Sequence, residues 1–192
     1  MHSATTRAVT TLDQLVTEGQ RFATIYADPP WPYRNARARY SAENHYRAMT
    51  LDGIAALPVR QLVASRAHCH LWTTTTFMPN ALDVLRAWGF EYKSQRVWVK
   101  PGRLGMGNYW RVSHEILLLG VRGGLPFNDR SQRSWLEAER GRHSHKPAAF
   151  RNAVERVSPG PYLELFGREL VEGWTVFGDE VATDVLRFGV PA

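Results

Sequence analysis

Residues 22–32 read Phe-Ala-Thr-Ile-Tyr-Ala-Asp-Pro-Pro-Trp-Pro, and no other stretch limits the fold as tightly. Phe22–Ala27 is short, mostly apolar and rich in strand formers, the pattern of a buried strand. The strand must stop at Asp28, because Pro29 and Pro30 lack the N–H that a sheet ladder needs. Each proline ring also holds φ near about −65° and biases the preceding residue to extended backbone. The carbonyls of Asp28 and Pro29 are thereby aimed in set directions. With the Asp28 carboxylate they make a preorganised group of acceptors, and Trp31 and Tyr33 stand beside it.

The rest of the chain alternates strand and helix signals. Thr50 can cap a helix through Leu51–Leu57, which Pro58 interrupts before a second turn to Leu62. His68–Thr73 reads as a strand, Asn80–Trp88 as a helix stopped by Gly89, and Phe90–Val99 and Glu115–Val121 as strands. A helical turn is expected near Trp135–Arg140, a helix over Ala148–Val157 opened by Pro147, and strands at Tyr162–Phe166 and Trp174–Phe177. Such alternation predicts an α/β fold, with a mostly parallel sheet and helices on both faces. In sheets of this kind ligands bind beyond the carboxyl ends of the strands, which singles out Asp28 and Gly167-Arg168.

A chain of 192 residues fits one domain by the usual prior of roughly 100–200 residues, here with a core over about 20–180 and short extensions. Cys69 is the sole cysteine, so an internal disulfide and a cysteine-held metal are excluded, and a lone thiol suits a reducing compartment. No apolar run approaches the roughly 20 residues of a membrane span, and Met1–Val9 lacks the apolar segment of a signal peptide. A cytoplasmic location is expected. The formal net charge is +6, and Lys93, Lys100 and Lys146 are the only lysines, so every other basic residue is Arg. Arg binds phosphate bidentately and stacks on bases, which favours a nucleic-acid partner, although codon composition also produces Arg excess. Candidate contacts are Tyr33, Arg34, Arg37 and Arg39 in the long segment after Pro32, and Lys100, Arg103, Arg111 and Arg133 in the basic stretches that follow.

The acceptors around Asp28 suit an exocyclic amine. The lone pair of adenine N6 is delocalised into the ring. Two acceptors gripping its hydrogens favour a pyramidal nitrogen with the lone pair aimed at an electrophile, so the chemistry rests on orientation and charge stabilisation. Trp31 or Tyr33 would stack on the base, which a duplex must first rotate out of its helix. The alternative is a turn that merely ends the strand. His68 and His70, two apart on a strand, and His143 and His145, around Ser144, could chelate a metal. No carboxylate cluster accompanies them, and no metal is expected.

At this point the sequence resembles the MTA-70-like adenine N6-methyltransferases. The resemblance runs from about Phe22 to Glu180. It rests on Asp28-Pro29-Pro30-Trp31; on His45-Tyr46 with Met49-Thr50; on Leu71-Trp72-Thr73; on Val97-Trp98-Val99-Lys100; on Gly107-Asn108-Tyr109-Trp110 running to His114-Glu115 and Leu119-Gly120-Val121-Arg122-Gly123; on His143-Ser144-His145-Lys146-Pro147; and on Ser158-Pro159-Gly160 leading to Leu163-Glu164-Leu165-Phe166-Gly167-Arg168, Gly173-Trp174 and Gly178-Asp179-Glu180. It implies a Rossmann-like methyltransferase fold that uses S-adenosylmethionine. By carry-over, Asp28, Pro29, Pro30 and Trp31 form the catalytic motif, with Asp28 and Pro29 holding the amine and Trp31 lining the base pocket. Asp28, Lys146, Glu164, Phe166, Gly167, Arg168, Asp179 and Glu180 would meet the cofactor, Lys146 and Arg168 at its carboxylate end and Glu164 at its ribose hydroxyls.

Family members usually carry Asn where this chain has Asp179, which exchanges a possible donor for an acceptor. The absence of a Gly-x-Gly loop around Phe166-Gly167-Arg168 is ordinary in the family. The expected function is adenine N6 methylation of DNA, with RNA as the nearest alternative. A non-catalytic nucleic-acid-binding subunit and an enzyme acting on a free nucleotide are the remaining readings. With little chain left for a separate target-recognition domain, target choice falls to the loops Pro32–Arg47, Arg103–Arg111 and Arg122–His145 or to a second subunit, a homodimer or a related chain being the expected partner.

Overall fold

The computed structural model describes residues 6–33, 49–102, 105, 109–139 and 146–178. Among them eight strands form one sheet: β1 (Arg7–Val9), β2 (Phe22–Ala27), β3 (Val63–Thr73), β4 (Glu91–Val99), β5 (His114–Arg122), β6 (Trp135–Glu137), β7 (Tyr162–Leu165) and β8 (Trp174–Phe177). Their order across the sheet is β1-β8-β7-β2-β3-β5-β4-β6. The sheet is mixed, since β5 is antiparallel to both of its neighbours while every other pairing is parallel. The expectation of a mostly parallel α/β sheet holds with that one reversal, and the fold is consistent with a Rossmann-like methyltransferase.

Side chains alternate across each strand, so two cores form. Ile25, Ala27, Cys69, Leu71, Leu118, Leu163 and Leu165 share one buried cluster with residues of α1 (Leu12–Thr17), α2 (Leu51–Ala55), α3 (Val59–Leu62) and α4 (Met78–Ala87). The intervening positions, Tyr26, Trp72, Trp98, Leu117, Trp174 and Val176, point the other way and pack on Phe150 and Val154 of α5 (Ala148–Val157). Helices thus lie on both faces, four on one and α5 on the other, among the described residues.

Local signals explain most boundaries. Thr11 and Thr50 cap α1 and α2 by accepting from Gln14 N and Gly53 N. Pro58 separates α2 from α3 because its ring cannot continue the first helix. Two outcomes differ from expectation. The turn expected to be helical near Trp135–Arg140 is instead β6, whose Leu136 pairs with Trp98. β4 would otherwise present an open edge, and Ser134 O accepts from Val97 N at 2.8 Å while Ala138 N donates to Val99 O at 3.1 Å. The N-terminal β1 and α1 also went unread: β1 gains its identity only by pairing with β8.

His68 and His70 lie on one face of β3, as their spacing requires, and both meet buried Ser158 at 2.8 Å. The protons can be assigned by elimination. Leu125 O, 3.1 Å from His68 Nε2, can only accept, so His68 Nε2 donates to it and His68 Nδ1 accepts from Ser158 Oγ–H. Ser158 Oγ must then accept from His70 Nε2–H. The pair is a neutral hydrogen-bonded relay. Burial pulls His68 below its ordinary value and His70 down to about 3.

The unfolded chain therefore binds protons that the folded one refuses. Between the ordinary value of 6.5 and about 3, stability falls as pH falls, by up to about 1.4 kcal/mol per pH unit for each such proton. Denaturant unfolding of the wild type and His70→Gln from pH 6.5 to 4.5 should show a shallower loss in the variant; parallel profiles would contradict the assignment.

Candidate active site

The end of β2 organises the site. Asp28 N donates to Leu165 O at 3.4 Å, extending the pairing with β7 by one step. The chain beyond is held by its own backbone: Trp31 N donates to Pro29 O and Tyr33 N to Trp31 O, both at 2.9 Å, and Met49 N donates to Pro30 O at 3.1 Å. Trp31 is buried, stacked on Phe77 at 5.5 Å, and its Nε1 donates to Trp72 O at 3.1 Å. Its indole pins the loop to the core. The aromatic that faces solvent is Tyr33, 51% exposed, edge-on to Phe77 and hydrogen-bonded through its hydroxyl to Thr74 Oγ1.

Asp28 does not stand alone. Lys146 Nζ donates to Asp28 Oδ2 at 2.5 Å and lies 3.3 Å from Glu115 Oε2. Glu115 Oε1 in turn takes Lys100. Charges alternate along Asp28, Lys146, Glu115 and Lys100. Two tryptophans lie beneath the cations: Lys146 is 5.3 Å from the Trp72 ring centroid and Lys100 is 4.2 Å from that of Trp98. Burial alone would lower the Lys146 ammonium, but Asp28 and Glu115 outweigh it and hold it above its usual value. Glu115 shows the mirror effect: burial raises its carboxyl, and Lys146 and Lys100 bring it below the ordinary range. Lys146 and Glu115 thus hold each other in their charged forms.

Beside this chain, Glu164 on β7 is 7% exposed and takes Arg151 Nη2 of α5 on both oxygens, at 3.0 and 2.9 Å. Burial raises the Glu164 carboxyl despite Arg151, and the charge of Asp28 adds to the rise. Tyr26, Asp28, Lys146, Arg151, Glu164, Phe166, Arg168 and Glu169 line one small cavity of about 40 Å³. That space accommodates a water or a methyl-sized group, and Arg151 Nε beside it is buried without a hydrogen-bond partner. Lysine and arginine cations for a carboxylate, and a carboxylate with lone pairs to spare for hydroxyls, fit the chemistry of a zwitterionic nucleoside such as S-adenosylmethionine.

The β7 turn shapes the floor. Phe166 has φ +66°, a left-handed conformation rare for a bulky residue and common where a site stores strain. Gly167 N donates to Phe177 O, and a Cβ on Gly178 would lie 1.9 Å from Gly167 O, so the two strand ends meet in contact that no larger residue permits.

The structure therefore gathers Asp28, Lys146, Glu164, Phe166, Gly167 and Arg168 at the carboxyl ends of β2 and β7. Lys100, expected on a nucleic-acid surface, is instead 11% exposed and occupied by Glu115. Arg111 and Arg133 are exposed, the latter over Trp135. Arg34, Arg37, Arg39, Arg103, His143, His145, Asp179 and Glu180 lie outside the described residues. Tyr26, Glu115, Arg151 and Glu169 join the site with no role expected from the sequence. Glu115 sits in a quoted motif, and an acid opening an apolar strand was its available signal. Arg151 gave none, since its partner is on another element.

Removing one member of the Arg151–Glu164 pair strands a buried carboxylate. Arg151→Met should cost about 3 kcal/mol of unfolding free energy, and the double variant with Glu164→Leu should recover part of it. Guanidinium unfolding of the four proteins checks this; additive losses would show the two residues to be independent.

Comparison with known proteins agrees with the geometry. The MT-A70 family profile matches residues 22–180. The type II methyltransferase M.MunI of a Mycoplasma species is 30% identical over 189 residues, covering 84% of this chain and 78% of that one. The human N(6)-adenosine-methyltransferase catalytic subunit METTL3 is 30% identical over 173 residues, 84% of this chain but 28% of its own length. The N6-methyladenosine RNA methyltransferase MTA1 of Cryphonectria parasitica is 27% identical over 197 residues, 93% of this chain and 56% of its own. With a family profile spanning most of its length and the Asp-Pro-Pro-Trp turn seated at the end of a central strand, the chain belongs to the MT-A70 family.

Proposed function

We propose that this protein transfers a methyl group from S-adenosylmethionine to N6 of adenine in nucleic acid, with DNA the favoured polymer. The observation that carries the reading is the placement of Asp28 at the carboxyl end of β2, held by Lys146, in one cavity wall with Glu164 and Arg168. The cofactor, when bound, supplies an electrophilic methyl on a sulfonium. The chain's task is to hold and orient.

Lys146 engages Asp28 Oδ2 and leaves the second carboxylate oxygen to accept one amino hydrogen. The Pro29 carbonyl accepts from Trp31 N and has a second lone pair for the other hydrogen. With both hydrogens held, the nitrogen lone pair is directed at the methyl, and this alignment replaces an entropic search. Bound S-adenosylmethionine would supply the methyl from its sulfonium, leaving its sulfur as a neutral thioether, and Asp28 would take the N6 proton that the amine must then lose. Lys146 and Arg168 suit the cofactor's carboxylate, and Glu164, fixed by Arg151, suits its ribose hydroxyls. Tyr33 is placed to stack on an extruded base. Asp179 and Glu180 are proposed as further cofactor contacts, and Arg34, Arg37, Arg39, Arg103, Arg111 and Arg133 as phosphate contacts.

DNA is favoured because the chain spans most of the type II methyltransferase and much smaller shares of the adenosine and RNA methyltransferases. RNA remains the second reading, since the MTA1 match covers the larger share of this chain. Among the described residues no helix is long and apolar enough to cross a membrane. The buried Cys69 thiol accords with a cytoplasmic site of action, and a second copy or a related subunit would supply target selection.

Incubation with labelled cofactor and matched duplex DNA, single-stranded DNA and RNA, followed by digestion to nucleosides, should yield N6-methyldeoxyadenosine, with transfer falling steeply as salt rises. Label in RNA alone would reverse the polymer assignment. Asp28→Ala should abolish transfer while cofactor affinity, measured by calorimetry, stays within about tenfold, roughly 1.4 kcal/mol. Lys146→Ala or Glu164→Ala should weaken cofactor binding itself. Undiminished turnover in Asp28→Ala would remove its assigned role.

A further inference from the structure

On the α5 face of the sheet, away from Asp28, lies a second cavity of about 350 Å³. It shares no lining residue with the Asp28 cavity. Its size falls within the range of small-molecule sites, roughly 300–1,000 Å³. The floor is sheet: His68 and His70 of β3, Leu117, Leu119 and Val121 of β5, and Ser94 and Arg96 of β4, which face the same way because Ser94 pairs with Leu119 and Arg96 with Leu117. One wall is α5, through Phe150 and Val154; the other is the segment from Leu125 to Ser134.

Three features separate this cavity from a packing defect. First, β5 is an interior strand with β3 and β4 on either side, yet Leu119 and Val121 remain partly exposed. An α/β sheet ordinarily covers such positions with a helix, and α5 covers Trp72, Leu117 and Trp98 toward one end of these strands while Leu119 and Val121 stay partly exposed. Second, the lining carries Lys93, Arg96 and Arg133 and no carboxylate. Third, Arg96 lies over the Phe150 ring at 5.3 Å with its Nε buried and without a hydrogen-bond partner. A guanidinium partly withdrawn from water with no acid beside it loses some of its solvation, and an anion would offset that loss. The histidines do not compete for the role, since their facing nitrogens are committed to Ser158 and Leu125.

We propose that this cavity is a second ligand site, taking a small organic anion whose apolar body lies on Leu119, Val121 and Phe127 and whose acidic group meets Arg96. The site is independent of methyl transfer, and its assignment does not rest on the proposed reaction. Lys93, Ser94 and Arg133 are exposed and stand at its mouth, so the anionic end can enter from solvent.

The test uses a matched pair of fluorescent probes, 8-anilinonaphthalene-1-sulfonate and its neutral counterpart N-phenyl-1-naphthylamine, with the full chain. The sulfonate should bind saturably at one site per chain, and saturating S-adenosylmethionine should leave its affinity unchanged. Arg96→Met should weaken the sulfonate by about tenfold or more and the neutral probe by less than about threefold. Leu119→Trp, which fills the cavity, should abolish binding of both, with a cooperative thermal transition confirming that the variant folds. Absence of saturable binding, displacement by S-adenosylmethionine, or equal losses of both probes in Arg96→Met would each overturn the proposal.

Discussion

The ion pair between Lys146 and Asp28 ties the site to the sheet. Asp28 ends β2, Lys146 precedes α5, and the bond between them closes the carboxyl edge of the sheet over the Trp72 ring. Because Glu115 and Lys100 extend the alternation, each buried charge has an opposite neighbour. This is the condition under which ionised groups survive loss of water. Take Lys146 away and Asp28 and Glu115 face each other with nothing between; take Asp28 away and a buried ammonium relies on Glu115 alone. Asp28 is therefore positioned directly by Lys146 and, through it, by Glu115 and Lys100, which do not touch it.

The aromatic side chains divide into two kinds of work. Trp31, Trp72 and Trp98 are buried, and each spends its N–H on a fixed partner: Trp72 O, the Tyr26 hydroxyl and Ala138 O respectively. They anchor the loop after β2, fill the second core and supply π faces for the two lysines. Tyr33, exposed and held by Thr74, is the ring left available at the mouth. In the Asp-Pro-Pro-Trp motif the tryptophan thus acts as the peg of the turn, and the solvent-exposed aromatic comes two residues later.

The two faces of the sheet are unequally covered, and that asymmetry places function. Four short helices seal the Ile25 face. On the other face α5 is the one helix among the described residues, and β5 keeps partly exposed apolar side chains near Arg96, whose Nε lacks a hydrogen-bond partner. The same helix presents Arg151 to Glu164 on one flank and Phe150 to Arg96 on another. α5 accordingly borders both cavities.

What the sequence determined by itself was local. Proline chemistry stops β2 at Asp28, Thr50 and Pro58 punctuate the helices, and the apolar pattern of Ala148–Val157 specifies α5 to the residue, because each signal acts within a few positions along the chain. It was the family resemblance, not a local signal, that put Asp28, Lys146, Glu164 and Arg168 in one expected site, and the structure lines one cavity with them. Tertiary structure decided the rest. β6 and β1 are strands because a neighbouring edge offers hydrogen bonds, β5 runs backward because it follows β4 through a hairpin-like return, and Glu115 and Arg151 join the site through partners on distant elements. Whether a charge is solvated or buried beside its opposite depends on how the strands stack, and no local pattern records that.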